Sequence, residues 1–281
     1  MAWDDNEEAM TVFIEQMEAA GMADGALLRA PGEWPWERVK LVVLSPGLPY
    51  THPVPHPGVR LAQQHGVEIV GDVELLYRAQ PQATYIAITG TNGKSTTTSL
   101  IGHIMQEAGR RAAVGGNLGT PALALAPLET LSQQAGEGEN EPVYVLELSS
   151  YQLDLVRTTR FSIAVLLNFS PDHLDRHGDM AGYIAAKRHI FDRQRFTDYA
   201  VIGVDDSYSE ALARQLIAGA TQRIVPIMTT QQSRQGIWVK DGMLYEPEGV
   251  FSTHEASPEP ATIPLAGGGL GWGIDLSPMT G

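Results

Sequence analysis

The sequence predicts an α/β protein built on a mostly parallel sheet. Seven short runs read as strands: VKLVVLS (39–45), VEIVG (67–71), TYIAITG (84–90), PVYVLEL (142–148), FSIAVLLNF (161–169), YAVIGV (199–204) and RIVPIM (223–228). The continuous apolar runs among them lack the polar alternation of a half-exposed strand, so both their faces are expected to be covered. Helical spacing separates several of these runs, which is the alternation that parallel strands require. A chain of 281 residues has the length for one large or two ordinary domains.

Residues 5 to 20 read as a helix, and the strand at 39–45 stops at Pro46-Gly47. Five prolines (46, 49, 53, 55 and 57) then forbid regular structure and predict a surface loop. The strand 67–71 is followed by a short helix from Asp72, and Pro81 marks the expected domain boundary. The strand 84–90 leads into a helix from Ser95 to Arg110 with Leu100, Ile101, Ile104, Met105 and Ala108 on one face. A polar loop is expected from Glu129 to Glu141, a helix from Asp179 to about Arg195, and another near 206–218. In GIWVKDGMLYE the Asp241-Gly242 pair fits a two-residue hairpin turn. Residues 266–281 read as an irregular tail, and no internal repeat is present.

Composition narrows the function. Nineteen Lys and Arg against 33 Asp and Glu leave a net charge of -14, which disfavours nucleic acid and anionic membrane surfaces, so a bound phosphate must be held locally. The absence of cysteine excludes disulfides, a thiol nucleophile and Cys-ligated metals. No apolar run approaches a membrane span, and Asp4, Asp5, Glu7 and Glu8 stand where a signal peptide needs basic and then apolar residues. A cytoplasmic location without membrane insertion is the expectation.

The strongest local signal is a strand, a glycine turn and a helix at 84–110, with Gly90-Thr91-Asn92-Gly93-Lys94-Ser95 at the turn. Amides at a helix N-terminus favour anions, a lysine adds a point charge and a serine hydroxyl can ligate magnesium, which together make phosphate-binding chemistry. The general spacing G-x-x-x-x-G-K-[ST] would need glycine at 88, where Ile88 sits, so only its second half is matched. Glu147 ends an apolar strand, where open α/β sheets bind ligands, and is a candidate magnesium ligand; the plain alternative is a carboxylate emerging into solvent.

NFSPDHLDRHGD (168–179) contains Asp172, His173, Asp175 and His177. If helical, His173 and His177 could share a zinc, although no glutamate stands in the H-E-x-x-H place; a polar turn capped by aspartates is the bland alternative. Lys187 falls on the apolar stripe of Met180, Tyr183, Ile184, Ile190 and Phe191, and a lysine there must snorkel, pair or be modified. From Arg157 to Arg195 seven Lys or Arg face four Asp, so an anionic ligand is expected against this segment. Gly115-Gly116-Asn117-Leu118-Gly119 is too rich in glycine for a helix and is expected to form a tight loop that admits a ligand to the backbone.

Taken together, TGTNGKSTTT (89–98), GGNLGTP (115–121), ELSSYQLD (147–154), NFSPDHLDRHG (168–178) and AAKRHIF (185–191) closely resemble the Mur ligases, in wording nearest to the D-glutamate-adding branch. LSPGLP (44–49) and GVEIVGDVELL (66–76) resemble the second half of that family's uridine-binding domain. The resemblance implies a partial uridine-nucleotide-binding, Rossmann-like domain over 1–80 and a P-loop-type ATP-binding central domain over 81–265. It implies ATP, magnesium, UDP-N-acetylmuramoyl-L-alanine and D-glutamate as ligands, and peptidoglycan precursor synthesis through an acyl phosphate by a monomer. Gly90, Thr91, Asn92, Gly93, Lys94, Ser95 and Thr96 would cradle the phosphates, with Lys94 on the transferring group. Ser95 and Glu147 would hold one magnesium, and His173 the second. Lys187 matches a lysine that the family carbamylates, which would make it an oxygen ligand of that second metal. Asn117, Ser149 and Gln152 match positions near the muramoyl substrate, and Asp4 an acidic residue near the uracil.

The resemblance also implies that the family's opening βα unit, its G-x-H-N-x-x-N stretch and its third, amino-acid-binding domain are not within these residues, so the chain alone is expected not to complete ligation. Another Mur or folylpolyglutamate-type ligase, or a nucleotide-binding regulatory module, are the alternatives. A simple nucleotide switch would need neither Lys187 on the stripe nor the His173 turn.

Overall fold

A computed structural model describes residues 1–21, 28–133, 142–219, 221–229, 236–240, 243–245 and 262–264. Along the chain its elements are α1 (Glu7–Ala19), β1 (Leu41–Val43), α2 (Pro57–Gln64), β2 (Glu68–Val70), α3 (Asp72–Ala79), β3 (Thr84–Thr89), α4 (Lys94–Glu107), β4 (Ala112–Gly116), α5 (Leu128–Gln133) and β5 (Val143–Glu147). They continue as α6 (Ser150–Leu153), β6 (Ile163–Leu166), α7 (Leu174–His177), α8 (Met180–Arg188), β7 (Tyr199–Gly203), α9 (Ser207–Gly219), β8 (Arg223–Met228), β9 (Ile237–Lys240), β10 (Met243–Tyr245) and β11 (Thr262–Pro264).

Strands β1 and β2 form a parallel pair, and the others form one sheet in the order β11-β10-β9-β8-β7-β6-β3-β5-β4. From β4 across to β9 every pairing is parallel, while β10 and β11 run antiparallel, so the mostly parallel α/β architecture is present. Alternation within the apolar runs explains it. Ile86, Ile88, Val143, Val145 and Val165 meet Ile101 and Met105 of α4 on one face. Tyr85, Ala87, Tyr144, Leu146, Ala164 and Leu166 meet Tyr183, Phe191, Leu212 and Leu216 on the other. With both faces covered, a polar group inside these strands needs a partner within the fold, as the Tyr85 hydroxyl finds in the Leu76 and Gln80 carbonyls and the Tyr144 hydroxyl in the Ala126 carbonyl.

The structure differs from the sequence-based expectation in several places. Residues 128–133 are helical rather than loop, and 134–141 lie outside the described residues. The helix expected to reach Arg195 ends at Arg188, followed by one 3-10 turn over His189–Phe191. Ile104, expected on the packed face of α4, is exposed. The last of the five crowded prolines opens α2: Pro57 takes the first helical position, where a missing N–H costs nothing, and the His56 ring accepts from the Gly58 amide as a cap. Strands β9 and β10 pair with Lys240 opposite Met243, but the Asp241-Gly242 turn and the expected tail 266–281 lie outside the described residues.

The small sheet is fastened to the large one by a carboxylate. Glu74 of α3 is 0% exposed and accepts from the amides of Arg157, Thr158 and Thr159 at 2.9–3.1 Å, from both threonine hydroxyls at 2.5 and 2.6 Å, and from Arg78 Nε at 2.8 Å. Leu155 adds an apolar contact, packing with Trp36, Val42, Val59 and Ile69 and offering its carbonyl to the Gly71 amide at 3.3 Å. Burial alone would push the Glu74 carboxyl up, but the hydroxyls and amides outweigh it and hold it down to about 2.

A depressed carboxyl stabilises the fold above its unfolded value of 4.5, and that stability is lost as pH falls from there towards 2. The contribution at neutral pH is about 3 kcal/mol by linkage. Glu74→Gln should therefore lower the urea midpoint at pH 7 and flatten the loss of stability between pH 5 and pH 3; an unchanged midpoint at pH 7 would show that the clamp holds nothing.

Candidate functional site

The sheet's order reverses around β3, with β5 on one side and β6 on the other, so the loops leaving these strands open a crevice at their carboxyl ends. The glycine turn leaves β3 there. Gly90 has φ +154°, and a Cβ at this position would sit 2.9 Å from Leu167 Cβ; Gly93, at φ +84°, is the left-handed residue that caps α4. Thr97 donates to the Gly93 carbonyl at 3.0 Å, tying the helix back to the turn, so among the described residues the amides of Gly93 to Thr96 are the unfilled donors of the helix start. Lys94 Nζ folds back to the Thr91 carbonyl at 3.0 Å, and Ser95 and Thr96 are exposed. Amides at a helix start with a lysine over them are a receptor for an anion.

Beside the turn, Glu147 closes β5 and is 2% exposed. Its Oε1 accepts from Asn117 Nδ2 at 3.0 Å, while the Asn117 amide donates to the Glu147 carbonyl at 2.8 Å. This corrects the expectation for GGNLG. Gly115 and Gly116 are the last residues of β4, not part of a loop, and a Cβ on Gly116 would collide with the Glu147 carbonyl while one on Gly115 would collide with the Thr120 carbonyl. The two glycines serve backbone packing around Glu147, and the turn begins at Asn117.

Lys187 does not snorkel. It is 2% exposed on α8, and its Nζ donates to Thr89 Oγ1 at 3.1 Å and to the Gly90 carbonyl at 2.9 Å, 4.9 Å from the centre of the Tyr183 ring. Burial, and then the charge of Lys94, push this amine down to about 7 against the opposing pull of Asp172 and Glu147. Lys94, Glu147, Asp172 and Lys187 therefore share one electrostatic neighbourhood, and near neutral pH a large share of Lys187 carries a free lone pair.

The two histidines separate. His173 caps α7 in the left-handed region at φ 52°, with its ring 5.1 Å from that of Tyr151 and its Nε2 3.4 Å from Asp172. His177 is buried, with Nε2 2.9 Å from Ser150 Oγ and Nδ1 3.6 Å from Asp154. Burial first, then the charges of His173 and Lys187, push it down to about 4, so it is neutral at pH 7. Nε2 ties His177 into the core at Ser150, and among the described residues no group of three or more His, Asp or Glu is gathered as a metal cluster, so the zinc pair is not assembled.

Ser149 and Gln152 form a capping box at α6, and Gln152 Nε2 also reaches the Asp72 carboxylate at 3.4–3.5 Å. Asp4 accepts from the Asn6 amide ahead of α1, and no described contact links it to the crevice. The positive surplus from 157 to 195 is largely spent within the fold. Arg160 pairs with Asp198; Arg157 bonds backbone carbonyls and the Tyr50 hydroxyl; Arg176 bonds the Gly47 carbonyl and lies 4.6 Å over the Tyr151 ring; Arg193 bonds the Arg157 carbonyl. Sequence reasoning missed Thr89, Asn168 and Tyr183. A polar residue at the end of a buried strand was the signal for the first two, while Tyr183 read only as apolar filling.

Residues 88–268 match the Mur ligase middle domain. The chain is 44% identical over 253 residues to UDP-N-acetylmuramoylalanine--D-glutamate ligase of Phenylobacterium zucineum, and 44% identical over 246 residues to that of Paramagnetospirillum magneticum, each alignment covering 88% of this chain and 50% of the relative. The chain thus spans about half the length of the curated relatives it matches. Among solved structures it is similar to UDP-N-acetylmuramate:L-alanyl-gamma-D-glutamyl-meso-diaminopimelate ligase from Neisseria meningitides, with a TM-score of 0.49 at 16% identity over 82% of this chain and 71% of that one.

The two kinds of glycine can be told apart by substitution. Gly116→Ala combines a positive φ with a backbone collision and should cost about 3 kcal/mol in urea unfolding. Gly119→Ala, at φ +75° with open space around it, should cost only about 1 kcal/mol. Equal losses would refute the packing role given to Gly116.

Proposed function

The chain belongs to the Mur ligase family, and on that premise we propose that it is the nucleotide-handling part of an ATP-dependent ligase that adds D-glutamate to UDP-N-acetylmuramoyl-L-alanine in peptidoglycan precursor synthesis. The observation that carries the reading is the meeting of Lys94, Glu147 and a buried Lys187 at the carboxyl end of β3, beside open helix amides. The shared identity with D-glutamate ligases favours this branch over a folylpolyglutamate-type activity. A regulatory nucleotide switch leaves Lys187 without a purpose. In this proposal residues 1–80 serve the uridine nucleotide and 81–265 serve ATP, as a monomer in the cytoplasm; no helix among the described residues is long and apolar enough to cross a membrane.

The residues suit the proposed ligands. ATP would activate the terminal carboxylate of the substrate as an acyl phosphate, and magnesium would neutralise the phosphate oxygens. For the anion, the amides of Gly93 to Thr96 supply donors and Lys94 supplies a charge that needs only to leave the Thr91 carbonyl. For a hard cation, the donor set is oxygen-rich: Ser95 Oγ is exposed at the helix start, and Glu147 Oε2 has no protein partner among the described residues. His173 is exposed beside Asp172 and would hold the second magnesium. Asn117 fixes the Glu147 carboxylate, and with Ser149 and Gln152 it would face the muramoyl substrate. Asp4 would lie near the uracil.

Lys187 fits the carbamate proposed for it. A protonated ammonium cannot attack carbon dioxide, whereas a neutral amine can, and burial supplies the neutral form close to pH 7. One N–H of the carbamate could keep the Thr89 or Gly90 acceptor while its oxygens replace a positive charge by a negative one beside Lys94.

Two measurements test this reading. MgATP titrated into the chain should bind, and Lys94→Ala should weaken that binding by at least about tenfold, the loss expected for one desolvated charge-assisted contact; unaltered affinity would refute the phosphate cradle. With 13C-labelled carbon dioxide held at a fixed dissolved concentration, a carbamate carbonyl resonance should grow as pH rises through about 7 and be missing from Lys187→Ala. A chain that shows no such resonance at pH 8 does not carry the modification.

A further inference from the structure

We propose that Asn168 is a positioning residue for the phosphate-receptive turn, fixing the Thr91–Asn92 segment so that the amides from Gly93 to Thr96 converge on one anion; the inference rests on the nucleotide-binding reading above. Asn168 leaves the end of β6, the strand on the other side of β3 from Glu147. Its side chain makes a two-point bond to one residue of the turn: Oδ1 accepts from the Asn92 amide at 2.9 Å, and Nδ2 donates to the Asn92 carbonyl at 3.2 Å. Its own carbonyl accepts from the Thr91 amide at 3.1 Å. A single asparagine therefore pairs with the turn as a short piece of strand would.

The pairing divides the turn into two halves. The amides of Thr91 and Asn92 are consumed by Asn168 and cannot serve a ligand, whereas those of Gly93 to Thr96 have no such partner among the described residues. The carbonyls are apportioned as well: Gly90 to Lys187, Thr91 to Lys94, Asn92 to Asn168. Two of these three partners are the lysines proposed to act on the phosphate and to be carbamylated, and each would have to shift its bond for that role. Asn168 is the partner with no other task. Thr91 Oγ1 adds a fastening to the same 168–170 segment, accepting from the Ser170 amide at 3.0 Å and lying 3.2 Å from the Tyr183 hydroxyl. When Lys94 swings off the Thr91 carbonyl, the Asn168 pairing is what keeps the peptide from following it. Leu167, whose Cβ limits Gly90, supplies no polar substitute.

The test is amide exchange on the unaltered chain, followed by nucleotide binding to Asn168→Ala. Without nucleotide the Asn92 amide should exchange slowly while those of Ser95 and Thr96 exchange quickly, and MgATP should slow the latter pair. Asn168→Ala should lose about tenfold in MgATP affinity, the magnitude of two modest hydrogen bonds, while AMP, which presents no β- or γ-phosphate, should change by no more than about twofold. The selective loss is what a general loosening of the fold would not produce. Fast exchange of the Asn92 amide in the unliganded chain would overturn the inference, as would equal losses for ATP and AMP or none at all. A chain that does not bind MgATP overturns the nucleotide-binding reading instead, and the exchange rate at Asn92 still decides the clamp. Should the alanine variant fail to fold, the exchange pattern of the unaltered chain decides alone.

Discussion

Lys187 Nζ donates to the Thr89 hydroxyl and the Gly90 carbonyl, and an amine taken that far out of water needs both of them. That requirement shapes the surroundings. The end of β3 must present a hydroxyl inward, which Thr89 does, and the next residue must turn its carbonyl towards α8, which the backbone at Gly90 permits at φ +154°. Helix α8 must lie close to the sheet, and Tyr183, one turn before Lys187, packs under the amine and reaches the Thr91 hydroxyl. The same bonds that settle a buried amine set the entry angle of the glycine turn.

The crevice follows from strand order. Because β3 lies between β5 and β6, the carboxyl ends of all three strands arrive at one place: Gly90 to Ser95 follow the first, Glu147 closes the second and Asn168 to His173 follow the third. Each loop then bonds another. Asn117 reaches Glu147, Asn168 reaches Asn92 and Lys187 reaches Gly90, so the site is a set of cross-ties between strand ends rather than a cavity dug into one element. The second cluster, Ser150 with His177 and Asp154, braces the turn that carries His173. Its histidine is neutral at pH 7, so that brace is not an ion pair.

Much of this was legible in the amino-acid sequence, for physical reasons that differ from residue to residue. Strands covered on both faces cannot hide their apolar runs, and the glycine turn before Lys94 is legible because only glycine tolerates the backbone at 90 and 93. Lys187 was legible because a charge on an apolar stripe contradicts its neighbours. Polar residues with ordinary surface chemistry left no such contradiction. Glu74 sits in a short helix, and its six donors come from Arg78 and from residues more than eighty positions away, so nothing local distinguishes it from a solvated glutamate. Asn168 stands where the apolar run 161–169 meets the polar turn, and a polar residue at that junction gives no hint of which partner it serves. The arginines from 157 to 195 misled in the opposite sense, because charge counted along a segment does not reveal that Arg160 is already neutralised by Asp198, just outside it. Pro57 did the same for helix α2, since a proline count cannot separate a loop from the first turn of a helix.

The position of β3 within the sheet has a consequence for how the protein is made. β3 pairs with β5 and β6, β4 pairs with β5, and Thr84 and Val143 are 59 positions apart. A chain leaving the ribosome N-terminus first therefore holds two apolar strands without their native neighbours until β5 has emerged, and the turn after β3 lacks its bracing until Asn168 and Lys187 follow. The turn after β3 is thus fixed only after later segments have been made, and the apolar strands that wait for β5 are exposed to misassociation during synthesis.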